Sequence, residues 1–292
     1  MAPDRKPLDL GAYSLMVLLT ALWGFQQVTI KVIAGDVSLL AQAAIRSIVA
    51  TILVVAWARL RGTPLFQRDG TLKAGLLAGL LFAVEFVFIY GGLAYTNASR
   101  IVVFIYLTPV LTALGLHLMV PGERLHPGQW LGVLVAFAGV ALAFFNTGKN
   151  TLLGDLCGIA AAIFWSATTV LIRATRLAHA SATKTLFYQL GVSAVLLPIF
   201  SVLFREPGIT ALTPLALASL AYQGVIVAFL SYLAWFWLLG RYLAARLSVF
   251  SFLAPMFGVV FGVLILREPL GPAFAVAAAL VGAGIVLVNR RR

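Results

Sequence analysis

The sequence predicts an all-α, polytopic membrane protein: ten transmembrane helices arranged as two inverted five-helix repeats around a central cavity. Three observations lead there. The 292-residue chain is 62% apolar and 10% charged, with a mean hydropathy of +1.04. A soluble domain carries about 25% charged residues, so this much apolar surface needs lipid as its solvent. Second, the stretch from Arg100 to Leu142 recurs from Arg246 onward. Third, the basic residues crowd into alternate loops.

A span needs about 20 mostly apolar residues. Ten such runs follow in order: 11–33, 37–58, 74–94, 99–120, 127–145, 152–172, 184–204, 212–239, 247–266 and 271–289. The longest gap, Arg59 to Lys73, holds Gly62, Pro64 and Gly70 and reads as a turn-rich loop. Arg5 and Lys6 precede the first run, but that run is long enough to span and no Ala-x-Ala site follows, so a cleaved signal peptide is not expected. The lone Cys157 rules out an intrachain disulfide framework and offers no metal motif.

The duplication is specific. Arg100, Val103, Phe104, Leu107 and Pro109 recur as Arg246, Val249, Phe250, Leu253 and Pro255. Glu123 and Leu125 recur as Glu268 and Leu270, and Ala138-Gly139-Val140 as Ala283-Gly284-Ile285. The halves are 2–146 and 150–292. Each holds five spans, an odd number, so the second is expected upside down relative to the first. Trp23 then aligns with Trp165, and Lys31 with Arg173. Inverted repeats with helices broken at matching positions are the plan of secondary transporters, with the substrate site near the bilayer midplane.

Loop charges orient the chain. One face receives fifteen basic residues: Arg5, Lys6, Arg59, Arg61, Arg68, Lys73, Arg124, Arg173, Arg176, Lys184, Arg241, Arg246 and Arg290 to Arg292. The other receives five: Lys31, Arg100, Lys149, Arg205 and Arg267. The positive-inside rule places both termini in the cytoplasm, within a bacterial inner membrane. The net charge of +12 therefore reads as orientation signal, and no nucleic-acid partner is expected.

Two charges lie deep in apolar runs, Arg46 in the second span and Glu85 in the third. Each is ten residues from a polar end, Asp36 or Tyr95, or about 15 Å along a helix. Equal depth allows a pair. Intramembrane charges usually face a bundle interior or a wet cavity. Three readings fit: a structural ion pair, a cavity pair meeting an amino acid's carboxylate and ammonium, or a proton site at Glu85. Their counterparts in the second half, Gln189 and Ser231, are uncharged, so a cavity there carries little net charge and suits a zwitterion.

Trp23 and Trp165 lie too deep for an interfacial belt and either fill the core or line the cavity. Gln26, Gln27, Tyr90, Tyr106, Tyr188, Gln189 and Gln223 add polar groups within apolar spans, and buried polar groups need partners. They serve the cavity or bond helices together. Pro109 and Pro255 each remove a helical hydrogen bond mid-span, which marks them as hinge or gate positions or as passive kinks. Gly132, Ala136 and Gly139, with Ala275, Ala279 and Gly282, allow close helix approach, within a monomer or across a homodimer. His117 reads as a satisfied polar residue rather than a ligand.

With these residues in view, the sequence resembles the EamA-type branch of the drug/metabolite transporter superfamily. The first span's TALWGFQQVTIK and the fourth span's LTPVLTALG carry the likeness, which covers the whole chain. Within that superfamily it is most similar to YddG-type exporters of aromatic and neutral amino acids. The resemblance implies a basket of helices 1–4 and 6–9 around the cavity, helices 5 and 10 outside it, and export from the cytoplasm. A lipophilic-cation exporter of the same superfamily is the alternative; Arg46 beside Glu85 counts against it. No Walker-type loop, His-Glu-x-x-His or Gly-x-Ser-x-Gly occurs, so neither ATP-driven pumping nor an intramembrane enzyme is expected, and no cofactor or metal. Facilitated diffusion and proton antiport both remain open.

Overall fold

A computed structural model describes residues 8–93, 95–96, 98–144, 152–267 and 273–290. Arg5, Lys6, Lys149, Glu268, Leu270, Arg291, Arg292 and the outer limits of the two expected halves lie outside the described residues, as does the Arg100 side chain.

The chain is built of helices. Those that follow are α1 (Leu10–Val32), α2 (Leu39–Leu60), α3 (Leu72–Leu93), α4 (Ala98–Ile105), α5 (Thr108–Met119), α6 (Pro127–Phe144) and α7 (Leu152–Ala174). The second half continues with α8 (Ala182–Leu203), α9 (Pro214–Ala221), α10 (Tyr232–Arg241), α11 (Ala244–Ser248), α12 (Leu253–Leu266) and α13 (Phe274–Asn289). A π-helical segment, Tyr222–Ser231, joins α9 to α10, and a 3₁₀ turn, Val249–Phe252, joins α11 to α12. Among the described residues the only extended pairing is a bridge between Val37 and Ile209.

Nine stretches are long and apolar enough to cross a membrane among the described residues, with α4–α5, α9–α10 and α11–α12 each counting once. The tenth expected span is described as α13, an apolar helix of 16 residues. That is about 24 Å, somewhat short of a hydrocarbon core of about 30 Å. Outward faces carry bare aliphatic side chains such as Ile52, Leu76, Leu131, Val195 and Val286, which only lipid would tolerate.

Local chemistry starts the helices. Asp9 accepts from Ala12 N–H at 2.8 Å, Ser181 from Lys184 N–H at 3.2 Å, and Thr213 from Ala216 N–H at 3.1 Å ahead of Pro214. These satisfy amides that a helix start leaves orphaned. Ser38 begins α2 but does not cap it with its own hydroxyl. Glu206, from the loop after α8, accepts instead from Leu40 N–H at 3.1 Å and Ser38 Oγ at 2.7 Å.

The two halves interlock. The α6 helix packs on α13, α2 on α8, α1 on α12, α3 on both α7 and α8, α4 and α5 on α7, and α2 on the π segment. Exchanging each span for its counterpart in the other half maps these pairings onto one another, and maps α3–α7 onto the contact that α1 makes with the π segment and α10. The α6 small residues serve the α6–α13 contact: a Cβ at Gly132 would sit 2.8 Å from Gly284 O, and one at Gly139 2.7 Å from Ala277 O. Close packing inside the monomer accounts for those glycines. On α13 the expected trio is one face off: Ala275 and Ala279 are exposed and a Cβ at Gly282 would meet nothing within 4 Å among the described residues, so Ala277 and Gly284 make the contact instead.

The break in the fourth span precedes its proline. The α4 helix ends at Ile105, and α5 starts with Pro109 in its first turn, where proline fits best. Proline has no N–H for the Ile105 carbonyl, and Thr108 Oγ1 donates to that carbonyl instead, at 2.6 Å. Pro255 likewise sits in the first turn of α12, behind the 3₁₀ turn.

Candidate functional site

Arg46 and Glu85 are brought together in the interior, both about 4% exposed or less. Arg46 is seven residues into α2 and Glu85 eight residues from the end of α3, so both lie about 11 Å from the same face. Each feels the other's charge, yet among the described residues no ion pair or hydrogen bond joins them directly. Arg46 Nη2 and Glu85 Oε2 are buried without a hydrogen-bond partner among those residues. An ion held this way is costly unless something completes its shell.

Aromatic rings wall the pair. The Arg46 guanidinium lies 4.5 Å over the Phe86 ring, and Phe86 stacks on Tyr90 at 6.0 Å. Phe82 meets Phe86 and Tyr232 edge-on, and Tyr232 meets Trp23 at 6.4 Å. Tyr90 and Tyr232 both lie within electrostatic reach of Arg46 and Glu85, and Tyr106 within reach of Tyr232. Tyr106 in turn contacts Trp165 at 6.3 Å and Phe252 at 6.4 Å. One cluster thus contains Arg46, Glu85, Tyr90 and Tyr106, flanked by Trp23 and Trp165.

The π segment sets one wall. Gly224 lets it approach α2 closely, since a Cβ there would be 3.0 Å from Val49 and 3.7 Å from Arg46 Cα. Wide helical turns of this kind are rare and gather at functional sites. Here the segment ends at Ser231, whose hydroxyl donates to Val227 O at 2.6 Å and accepts from Trp23 Nε1 at 2.9 Å. Tyr232 follows directly. Sequence reasoning named Ser231 as the counterpart of Glu85 and passed over Tyr232, the counterpart of Phe86; that adjacency was the available signal.

Other residues serve elsewhere. Gln223 Nε2 donates to Gln42 Oε1 at 3.0 Å, and Gln42 Nε2 donates to Val37 O at 2.8 Å, so this amide pair ties α2 to the π segment. Gln26 is buried, its Nε2 without a partner among the described residues, while Gln27 is exposed beside Gly258 of α12. Tyr188 does not join the cluster: its hydroxyl meets Thr71 Oγ1 at 3.2 Å, and Glu85 lies fourteen residues farther along, about 21 Å. Gln189, beside it in α8, is buried. His117 Nδ1 accepts from Leu125 N–H at 3.2 Å, a satisfied polar residue as expected.

Interlocking charges close the face on which α1 begins. Arg173, counted from sequence among the loop charges, is buried and bound to Glu123, and its Nη1 donates to Leu239 O at 2.7 Å. Glu123 also accepts from Ala244 and Ala245 N–H at 3.1 and 3.2 Å. Asp69 pairs with Lys184 at 2.7 Å, which holds its carboxyl well below the usual carboxylate range. Tyr242 donates to Asp9 at 2.7 Å. Sequence reasoning noticed that Glu123 has a twin in Glu268 and drew no role from it.

A multi-pass helical bundle with a buried, aromatic-walled ion cluster between two interlocked halves is the build of a membrane transporter. The profile of the EamA-like transporter family matches twice, over residues 10–145 and 152–290. The chain belongs to that family. It is 22% identical to the "Uncharacterized transporter YoaV" of Bacillus subtilis, over 93% of this chain and 94% of that protein. It is 24% identical to the "Probable amino-acid metabolite efflux pump" of Escherichia coli, over 94% and 93%. One solved crystal structure superposes with a TM-score of 0.82 at 22% identity, covering 95% of this chain and 96% of that one. That likeness concerns the fold.

Proposed function

We propose that the protein is a secondary transporter that exports neutral and aromatic amino acids, or closely related small metabolites, across the bacterial inner membrane by alternating access. The observation that carries this reading is buried Arg46 and Glu85, within electrostatic reach of each other, each with a buried polar atom that has no hydrogen-bond partner among the described residues. In this reading a zwitterion binds with its carboxylate on Arg46 and its ammonium on Glu85. The rings of Tyr90, Tyr106, Tyr232, Trp23 and Trp165 then take an apolar or aromatic side chain. The efflux-pump relatives support the same substrate class.

The halves, 2–146 and 150–292, form inverted five-helix units with ten spans in all; the exchange symmetry of their packing supports this arrangement. They rock about the breaks at Pro109 and Pro255, with both termini cytoplasmic. The energy source is facilitated diffusion or proton antiport. Counterflow in proteoliposomes tests the reading: vesicles preloaded with one amino acid receive labelled threonine, methionine or phenylalanine, with and without a pH gradient. Saturable exchange of several neutral amino acids is expected. Absence of exchange beside tight binding of a lipophilic cation would overturn the assignment.

A further inference from the structure

On the half of the bundle nearest the start of α1, a cleft of about 710 Å³ opens between α2, α3 and α8. Its walls are apolar, and Leu72, Leu76 and Val195 in them are exposed. Nothing aqueous stabilises such walls at membrane depth, and only an apolar chain covers them favourably. The cleft follows α8 from Phe187 to Leu196, nine residues, or about 13 Å. One hydrocarbon leaflet is about 15 Å deep. The groove therefore runs nearly the length of one leaflet.

The loop between α2 and α3 arches over its end, anchored by buried Leu65 and by Phe66 edge-on to Phe187 at 5.5 Å. This rim sits at headgroup level, as the nearby Arg61 over Trp57 at 4.5 Å also marks. Arg68, Asp69 and Gly70 line it. The Asp69 carboxylate is taken up by Lys184 and by Thr71 Oγ1 at 2.6 Å. Its charge is thus spent. The guanidinium of Arg176 lies against Gly70, which has φ +75°. Exposed Arg68 thus lines the mouth of the apolar groove, and exposed Arg176 lies at its edge beside Gly70.

We propose that this cleft binds an anionic glycerophospholipid, with one acyl chain along α8 and the phosphate between Arg68 and Arg176. The site is remote from Arg46 and Glu85 and stands whatever the transported substrate is.

Native mass spectrometry of the purified full chain in detergent tests it, with phosphatidylglycerol and phosphatidylcholine of identical acyl chains as probes. The wild type should bind one phosphatidylglycerol in clear preference to phosphatidylcholine. Arg68→Ala/Arg176→Ala should weaken that adduct about fivefold for each arginine removed and leave phosphatidylcholine unchanged. At Gly191 an added Cβ meets only Phe187, at 3.9 Å, so Gly191→Leu fills the groove and favours the helix. It should weaken the first adduct of both lipids while the melting temperature in detergent holds. Equal binding of the two lipids by the wild type would overturn the proposal. So would a phosphatidylglycerol preference that survives Gly191→Leu, because the basic rim alone would then account for it.

Discussion

Arg173 at the end of α7 and Glu123 in the loop after α5 form an ion pair with side chains only 1% exposed. The pair joins elements far apart in the chain, and its surplus bonds run onward to Leu239 O and to the first amides of α11. Among the described residues Arg173 has one further acceptor, and Glu123 at least two further donors. The consequences of losing each partner should therefore differ.

Glu123→Ala strands Arg173 in the interior with a single carbonyl, and breaking a buried pair in this way costs about 3–5 kcal/mol. It also uncaps α11. Arg173→Met leaves Glu123 with the Ala244 and Ala245 amides and should cost distinctly less. Fluorescence-detected melting of the two variants in detergent checks the order. Equal losses, or a larger loss for Arg173→Met, would show that the cap matters less than the geometry indicates.

Asp69 gives a pH dependence with a definite sign. Its folded-state pKa is depressed, chiefly by the Lys184 hydrogen bond and then by Thr71. A depressed acid contributes stability above its unfolded pKa of about 3.9, and loses it as pH falls toward the folded value. The melting difference between wild type and Asp69→Asn should stay constant from about pH 8 to 5 and narrow below about pH 4. A difference that shrinks already between pH 7 and 6 would assign it to another group.

These features differ in how far the sequence announces them. Long apolar runs fix the spans because lipid leaves few alternatives. Arg46 and Glu85 stand out because a charge in such a run is rare. Tyr232 does not, since a tyrosine among apolar residues reads equally as packing, and its place beside Arg46, directly after the π segment, shows only in the fold. Tyr188 has the right chemistry at the wrong depth. Arg173 looks like a solvated loop charge until the fold covers it. The proline marks a break in the fourth span, but its place, before Thr108, depends on which side chain takes the freed carbonyl.

That carbonyl yields a third test. Thr108→Val removes the donor to Ile105 O while keeping the side chain's shape, and leaves a buried acceptor unsatisfied at a cost of about 1–3 kcal/mol. Pro109→Ala restores a backbone N–H that can reach the same oxygen. The double variant should therefore melt above Thr108→Val alone. If the break also serves as a hinge, Pro109→Ala by itself should slow counterflow without lowering the melting temperature. A double variant no more stable than Thr108→Val would mean that the helix stays broken for another reason.

Arg46 and Glu85 separate substrate binding from structural support. Neutralising one member leaves the other buried and uncompensated, so Arg46→Gln and Glu85→Gln should each lower stability, by amounts of the order of 3–5 kcal/mol if the pair is fully coupled. Arg46→Gln/Glu85→Gln removes both charges and should recover most of that loss. A structural pair would recover transport along with the fold. A pair that holds a zwitterion would not, because the neutral double variant has nothing to offer a carboxylate or an ammonium. The expected outcome is a double variant that melts near the wild type, inserts normally, and exchanges labelled phenylalanine at least tenfold more slowly, a deficit of about 1.4 kcal/mol or more in transition-state stabilisation. Counterflow restored to the wild-type rate in that variant would remove both residues from the substrate site.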